Sequence, residues 1–134
     1  MKKIFFLLII FSLILSLLVV SGCSEHTSKY NATGFESSND SQSASMQFDF
    51  FEGRKVFTLK TTSGSVLHYW VDLRLGDVVV WIDIGNSRKE LFSAKAGDKF
   101  SGTLENMSNG KVYIIVQTKE KCADGRFGFD VKEN

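Results

Sequence analysis

Hydrophobic and polar positions divide this chain into three regimes. Ile4 to Val20 is apolar apart from Ser12 and Ser16, Ser24 to Ser45 is polar with Tyr30 and Phe35 its only large apolar side chains, and apolar residues return in short runs after Met46. The third regime carries a period of two. Leu67, Tyr69, Val71, Leu73 and Leu75 alternate with Val66, His68, Trp70, Asp72 and Arg74, which places the two sets on opposite faces of a strand. Val78, Val80, Ile82 and Ile84 then alternate with Val79, Trp81 and Asp83.

Gly76-Asp77 stands between these runs, and a two-residue hairpin with Gly first suits a type II′ turn. Pairing through that turn sets Leu75 opposite Val78, Leu73 opposite Val80, Val71 opposite Ile82 and Tyr69 opposite Ile84. On the other face it sets Trp70 opposite Asp83 and Trp81 opposite Asp72. A one-residue slip would bring His68, Trp70 and Asp72 opposite the inward side chains, so pattern and turn agree on the register.

Shorter apolar runs near 48–51, 54–60, 88–93, 99–106, 111–118 and 126–132 are separated by turn residues at Ser63-Gly64, Gly85-Asn86-Ser87, Ala96-Gly97-Asp98, Asn109-Gly110 and Asp124-Gly125. Such spacing belongs to a β-sandwich or barrel. Val112 to Val116 is apolar at every position and leaves its inward face open. Phe127, Phe129 and Val131 alternate with Arg126, Gly128, Asp130 and Lys132, a half-buried closing strand. The expected fold class is all-β, a single small sandwich of about 7–8 antiparallel strands. The run through VVVWIDIGN, GKVYIIV and GRFGFDV resembles small extracellular β-sandwich modules of jelly-roll type in bacterial secreted proteins. That resemblance implies an architecture and brings no functional residue with it.

The first regime resembles the signal segment of a bacterial lipoprotein precursor. Lys2 and Lys3 precede the apolar run, which ends in Val20-Ser21-Gly22-Cys23, the pattern of a lipobox. The resemblance implies cleavage between Gly22 and Cys23 and acyl chains, palmitate among them, on Cys23. It also implies attachment to a cell membrane on its extracytoplasmic face. Ser24 stands where an Asp would resemble an inner-membrane retention signal, so outer-membrane sorting is permitted in a Gram-negative cell. A transmembrane helix of the same length sits at the short limit for spanning and has no need of Ser-Gly-Cys at its end. The expected organisation is a signal peptide over 1–22, a lipidated Cys23 with a flexible polar tether over 23–45, and the sandwich over 46–134.

Cleavage would remove Lys2 and Lys3 and leave 14 basic against 15 acidic residues, a net charge of about −1. The signs are interspersed, which argues against a nucleic-acid partner. Of two cysteines one would carry lipid, so the fold stands without an intramolecular disulfide. Cys122, beside Lys119 and Lys121, reads as a free thiol in a polar turn, with an intermolecular disulfide as the alternative.

Catalytic signatures are missing: the sequence contains no His-Glu-x-x-His, Gly-x-Ser-x-Gly, phosphate-binding glycine loop or zinc-spaced cysteine pair. No cofactor or metal is implied, and the expectation is a protein that is not an enzyme. An enzyme would require His68, Asp72 and Asp83 to converge. The candidate binding patch is the outward face of the first hairpin, with Trp70, Trp81, His68, Asp72 and Asp83. Indole faces beside carboxylates suit a saccharide or a protein contact. Burial under another element would make them ordinary packing. The expectation is therefore an envelope lipoprotein presenting a non-catalytic sandwich to a glycan or an envelope protein. The alternative is an inhibitor of an envelope-acting hydrolase such as lysozyme.

Overall fold

The computed structural model describes residues 26–133, so the signal segment, Gly22 and Cys23 lie outside the described residues. Seven strands form one antiparallel sheet: β1 (Lys29–Thr33), β2 (Glu36–Asn39), β3 (Ser43–Thr61), β4 (Val66–Ile84), β5 (Ser87–Lys95), β6 (Lys99–Leu104) and β7 (Gly110–Lys132). The order is β1-β3-β7-β4-β5, with β2 also beside β3 and β6 also beside β4. Strands β1 and β2 follow one another along an edge of β3, and β5 and β6 do so along an edge of β4. The sheet is therefore five lengths of chain wide.

A crease divides those lengths. Pairing shifts register between Phe51 and Arg54 in β3 and on either side of Asp77 in β4; the β5–β6 edge breaks beside the β4 shift, whereas β1 runs across the β3 shift and the β1–β2 edge breaks just past it, opposite residues 48–49. Each length carries one residue of positive φ there: Gly34, Gly53, Gly76, Gly97 and Asp124. At two of them nothing but glycine fits. A Cβ on Gly76 (φ 114°) would stand 2.6 Å from Cys122 Sγ, and one on Gly53 (φ 129°) 2.3 Å from the Lys29 carbonyl oxygen.

The first leaf contains β2, β6, residues 43–51 of β3, 66–75 of β4 and 122–132 of β7; the second contains β5, 54–61 of β3, 77–84 of β4 and 110–118 of β7. A backbone hydrogen bond at the far end, from Lys60 N to Ser41 O at 2.7 Å, joins the second leaf to the turn before β3, while Val131 N to Gln42 O at 2.7 Å extends the β3–β7 ladder within the first leaf. Asn39 adds a side-chain stitch, accepting from Thr58 N at 3.0 Å and donating to Thr58 O at 2.8 Å. Between the leaves, Phe92 lies 6.4 Å from Phe127 and 6.3 Å from Phe129, and Phe57 lies 6.1 Å from Phe129. The product is an all-β sandwich made by one sheet folded upon itself.

Each long strand inverts its inward parity at the crease. In β4 the buried set passes from Leu67, Val71 and Leu73 to Val78, Val80 and Ile82; in β7 it passes from Val112, Ile114 and Val116 to Phe127, Phe129 and Val131. A bulge adds a residue to one strand and so exchanges its faces, which keeps apolar side chains inward on both leaves.

Several expectations change. Gly76-Asp77 is not a hairpin turn, because β4 runs through it and its halves pair separately with β7, β6 and β5. A turn and a bulge both invert parity, and the sequence does not separate them. Leu75, expected inward, is 53 % exposed at the crease. Asp124-Gly125 is likewise a kink inside β7. Cys122 lies in no polar turn: it is fully buried in β7, and burial pushes its thiol up to about 11.

The tether is also corrected. Lys29–Thr33 and Glu36–Asn39 are strand, and the folded unit starts well before Met46. Composition underrates this segment because an edge strand is ordered by the ladder it joins and can stay polar on its exposed side. Its two large apolar residues are the ones that dock, with Tyr30 at 5.4 Å and Phe35 at 6.0 Å from Phe51.

Candidate binding face

The two outer faces of the sandwich differ. On the second leaf, three rows cross the strands: Arg54, Gln117, Val79 and Ser93; Val56, Ile115, Trp81 and Glu90; Thr58, Tyr113, Asp83 and Arg88. The chain before β1 lies along them. Ser28 Oγ accepts from Val56 N at 2.9 Å, and the His26 ring stacks on Tyr113 at 3.6 Å. Val79 and Ile115, although outward, are buried, and Trp81 is half-buried.

Asp83 is the organising charge of that leaf and only 6 % exposed. Arg88 donates to it from Nε at 2.6 Å and from Nη2 at 2.8 Å, a bidentate pair, and His26 Nε2 lies 2.7 Å from Oδ2. Arg88 holds the Asp83 carboxyl below the usual range; burial works against that shift, and the His26 hydrogen bond assists it. Every carboxylate oxygen is occupied by the protein's own donors. This cluster fastens a chain segment and offers nothing to a ligand.

The outer face of the first leaf is open. Its rows read Ser43, Asp130, His68 and Thr103; then Ser38, Ser45, Gly128, Trp70 and Ser101; then Glu36, Gln47, Arg126, Asp72 and Lys99. Trp70 is 45 % exposed. Its indole occupies the space that a side chain at Gly128 would fill, with Nε1 and Cε2 each 2.2 Å from an ideal Cβ there. Gly128 thus gives the ring a floor of bare backbone on the neighbouring strand.

Depressions flank the ring. One of about 340 Å³ includes Glu36, Ser38, Ser45, Gln47 and Arg126, and one of about 430 Å³ includes Asp72, Lys99, Ser101 and Arg126. A third, of about 700 Å³, continues toward the crease past Asp49, Arg74 and Asp124 and shares Arg126. Arg74 is committed to Asp124 at 2.8 Å, and Gln47 donates to Glu36 at 2.8 Å. Among the described residues, Arg126, Asp72 and Lys99 make no ion pair or side-chain hydrogen bond. Chemically the face offers a flat aromatic surface bordered on one side by Arg126, Asp72 and Lys99, which the fold does not use, and on the other by the Gln47–Glu36 pair and by Ser38 and Ser45, whose hydroxyls lie 2.8 Å apart.

The candidate patch is therefore divided. His68, Trp70 and Asp72 share the open face, whereas Trp81 and Asp83 lie on the other leaf, about 36 Å of strand from Trp70 to Trp81 at ~3.3 Å per residue. Trp70 opposes Ser101 and Gly128, not Asp83, and Trp81 opposes Glu90 and Ile115, not Asp72. His68, Asp72 and Asp83 do not converge. Among the described residues no three His, Cys, Asp or Glu side chains gather as a metal site would require. Sequence reasoning missed Arg126, Gln47, Lys99 and the serines, whose strands it did not pair. Gly128 carried a signal: a glycine at an outward position of an otherwise large-residue strand marks a close approach from a neighbour.

No family model matches this chain, and no curated protein matches it. Among solved structures it is similar to PliG of Aeromonas hydrophila, a periplasmic lysozyme inhibitor of g-type lysozyme, with 12 % identity over 69 % of this chain and 88 % of that one at a TM-score of 0.48. The module TmCBM61, in complex with β-1,4-galactotriose, has 11 % identity over 80 % of this chain and 88 % of that one at 0.47. A carbohydrate-binding module of Cellvibrio mixtus lichenase 5A, in complex with cellotriose, has 12 % identity over 83 % and 94 % at 0.43. Likenesses this distant carry no argument about what the chain binds.

Proposed function

We propose that this protein is a lipid-anchored component of the bacterial cell envelope that binds saccharide, without catalysis, on the outer face of its first leaf. The observation that carries the reading is Trp70, exposed over Gly128 and bordered by Arg126 and Asp72 with their hydrogen-bonding capacity unspent. A pyranose ring has an apolar face of C–H groups and an equatorial rim of hydroxyls. The indole takes the first, and charged side chains beside it take the second by charge-assisted hydrogen bonds. The anchor rests on the Val20-Ser21-Gly22-Cys23 pattern.

Pull-down on peptidoglycan and a glycan array, with the wild type and Trp70→Ala, tests the binding. Retention lost by at least tenfold in a folded variant supports it, and equal retention removes Trp70 from the function. Palmitate labelling of cells expressing the full precursor or Cys23→Ser tests the anchor. Equal label in both would overturn it.

A further inference from the structure

The face also carries a pattern of charge that bears on which saccharides it accepts. Across the sheet, the row at Arg126 reads Glu36, Gln47, Arg126, Asp72 and Lys99, one residue from each of β2, β3, β7, β4 and β6. Two anions and two cations sum to zero, and Arg126, Asp72 and Lys99 alternate on adjacent strands, which lie ~4.8 Å apart. Opposite charges at that spacing are closer than the Debye length of ~8 Å at physiological salt, so their fields largely cancel for anything lying along the row. A polyanion laid across it would meet Asp72 between its two cationic contacts and Glu36 at the end. A neutral polyol meets no such conflict, because carboxylates accept from hydroxyls and Arg and Lys donate to them.

The depressions extend the site in two directions. They lie on opposite sides of Trp70 and both reach Arg126, and both are open to solvent, so a ring stacked on the indole has room to continue in either direction. A site for one terminal sugar would be closed on at least one side.

We propose that the ligand is a neutral glycan chain bound internally, with one ring on Trp70 and further rings toward Glu36 and Ser45 on one side and toward Lys99 and Ser101 on the other. This rests on the saccharide reading given above.

The test is titration calorimetry of the folded protein with neutral cello- and chito-oligosaccharides of two to six rings and with oligogalacturonates of the same lengths, at low and high sodium chloride. The expected result is binding of a neutral series that strengthens at least tenfold from two rings to four and changes less than twofold with salt. Asp72→Asn, which keeps the side-chain shape and removes the central anion, should gain salt-sensitive binding of oligogalacturonate. Preferential, salt-sensitive binding of oligogalacturonate by the wild type would overturn the neutral assignment and leave the saccharide reading standing. Affinity that does not rise beyond two rings would overturn internal binding alone. Failure to bind either series or peptidoglycan would overturn both readings.

Discussion

The indole of Trp70 rests on the backbone of Gly128, the strand neighbour whose missing side chain makes room for it. A methyl group there would meet Nε1 and Cε2 at 2.2 Å. Because the ring is on an exposed face, it would escape by tilting outward and not by unfolding the sheet. Gly128→Ala should therefore cost stability only ~1 kcal/mol, within the ordinary range for single substitutions. Saccharide affinity should fall at least tenfold, about 1.4 kcal/mol. Thermal melting and calorimetry on the same sample check both; a stability loss with unchanged affinity would mean the ring's position is irrelevant to binding.

Asp83 predicts a pH dependence on the opposite leaf. Its carboxyl is held below the ordinary range by Arg88, so the unfolded state binds the proton more readily than the folded one. The resulting stability is fully present above the unfolded carboxylate value of about 4 and is lost as pH falls through the lower, folded value. Asp83→Asn should cost about 2 kcal/mol at pH 7, in the range for a hydrogen-bonded charge whose partner is left behind. The deficit should shrink as the pH is taken down from about 4 through the lower, folded value. Melting temperatures of both proteins across that interval check it, and a deficit that stays constant would place the stabilisation elsewhere.

The face pattern of β4 was legible in the sequence, because Leu67, Val71 and Leu73 and then Val78, Val80 and Ile82 are the residues that the alternation selects. What the alternation lacked was distance. A parity change at Gly76-Asp77 satisfies a turn and a bulge alike, and only the positions of β5, β6 and β7 decide between them. That one ambiguity brought Trp81 and Asp83 beside Trp70 on paper and hid Arg126, which reaches the site from the far end of the chain. The N-terminal strands were illegible for a different reason. Their order comes from hydrogen bonds to β3, and composition reports burial only.

The crease makes the two readings of Gly76 separable. In a solvent-facing hairpin tip, an added methyl would meet nothing, and the cost would be that of a positive φ alone. Here it would meet Cys122 Sγ at 2.6 Å, Cys122 Cα at 2.7 Å and the Lys121 carbonyl at 2.9 Å. Gly85, at φ 59° in the turn between β4 and β5, has nothing within 4 Å and serves as the control. Gly85→Ala should cost ~1 kcal/mol for the conformation, and Gly76→Ala about 3 kcal/mol or more, because backbone and a buried sulfur have no room to yield. Urea denaturation of the pair measures the difference, and equal midpoints would restore the hairpin.

Cys122 reports on the same region. Its thiol, buried and pushed up from 9.0 to about 11, forms about a hundredfold less thiolate near neutral pH than the unperturbed group. The thiolate is the nucleophile, so alkylation by iodoacetamide at pH 8 should be at least a hundredfold slower in the native protein than in urea. A native rate within a few-fold of the unfolded rate would contradict the burial. Slow alkylation that accelerates in Gly76→Ala would show that the substitution opens the crease itself.

The amino-terminal edge is held to the sheet at Asn39 and Phe35. Asn39 presents its amide to Thr58 as a strand backbone would, giving and receiving one hydrogen bond across the two leaves. Phe35, between β1 and β2, packs toward Phe51 in the core. If residues 24–45 were a leash, Asn39→Ala and Phe35→Ser would be silent. In the folded sheet the first removes both hydrogen bonds to Thr58, worth about 1 kcal/mol each. The second exposes part of a buried aromatic contact, at a cost of about 1–2 kcal/mol. Asn39→Asp should recover only part of the loss, since a carboxylate can accept from Thr58 N and cannot donate to Thr58 O. Denaturation midpoints that rank wild type above Asn39→Asp above Asn39→Ala fit the stitch, and identical midpoints for all three would return this edge to solvent.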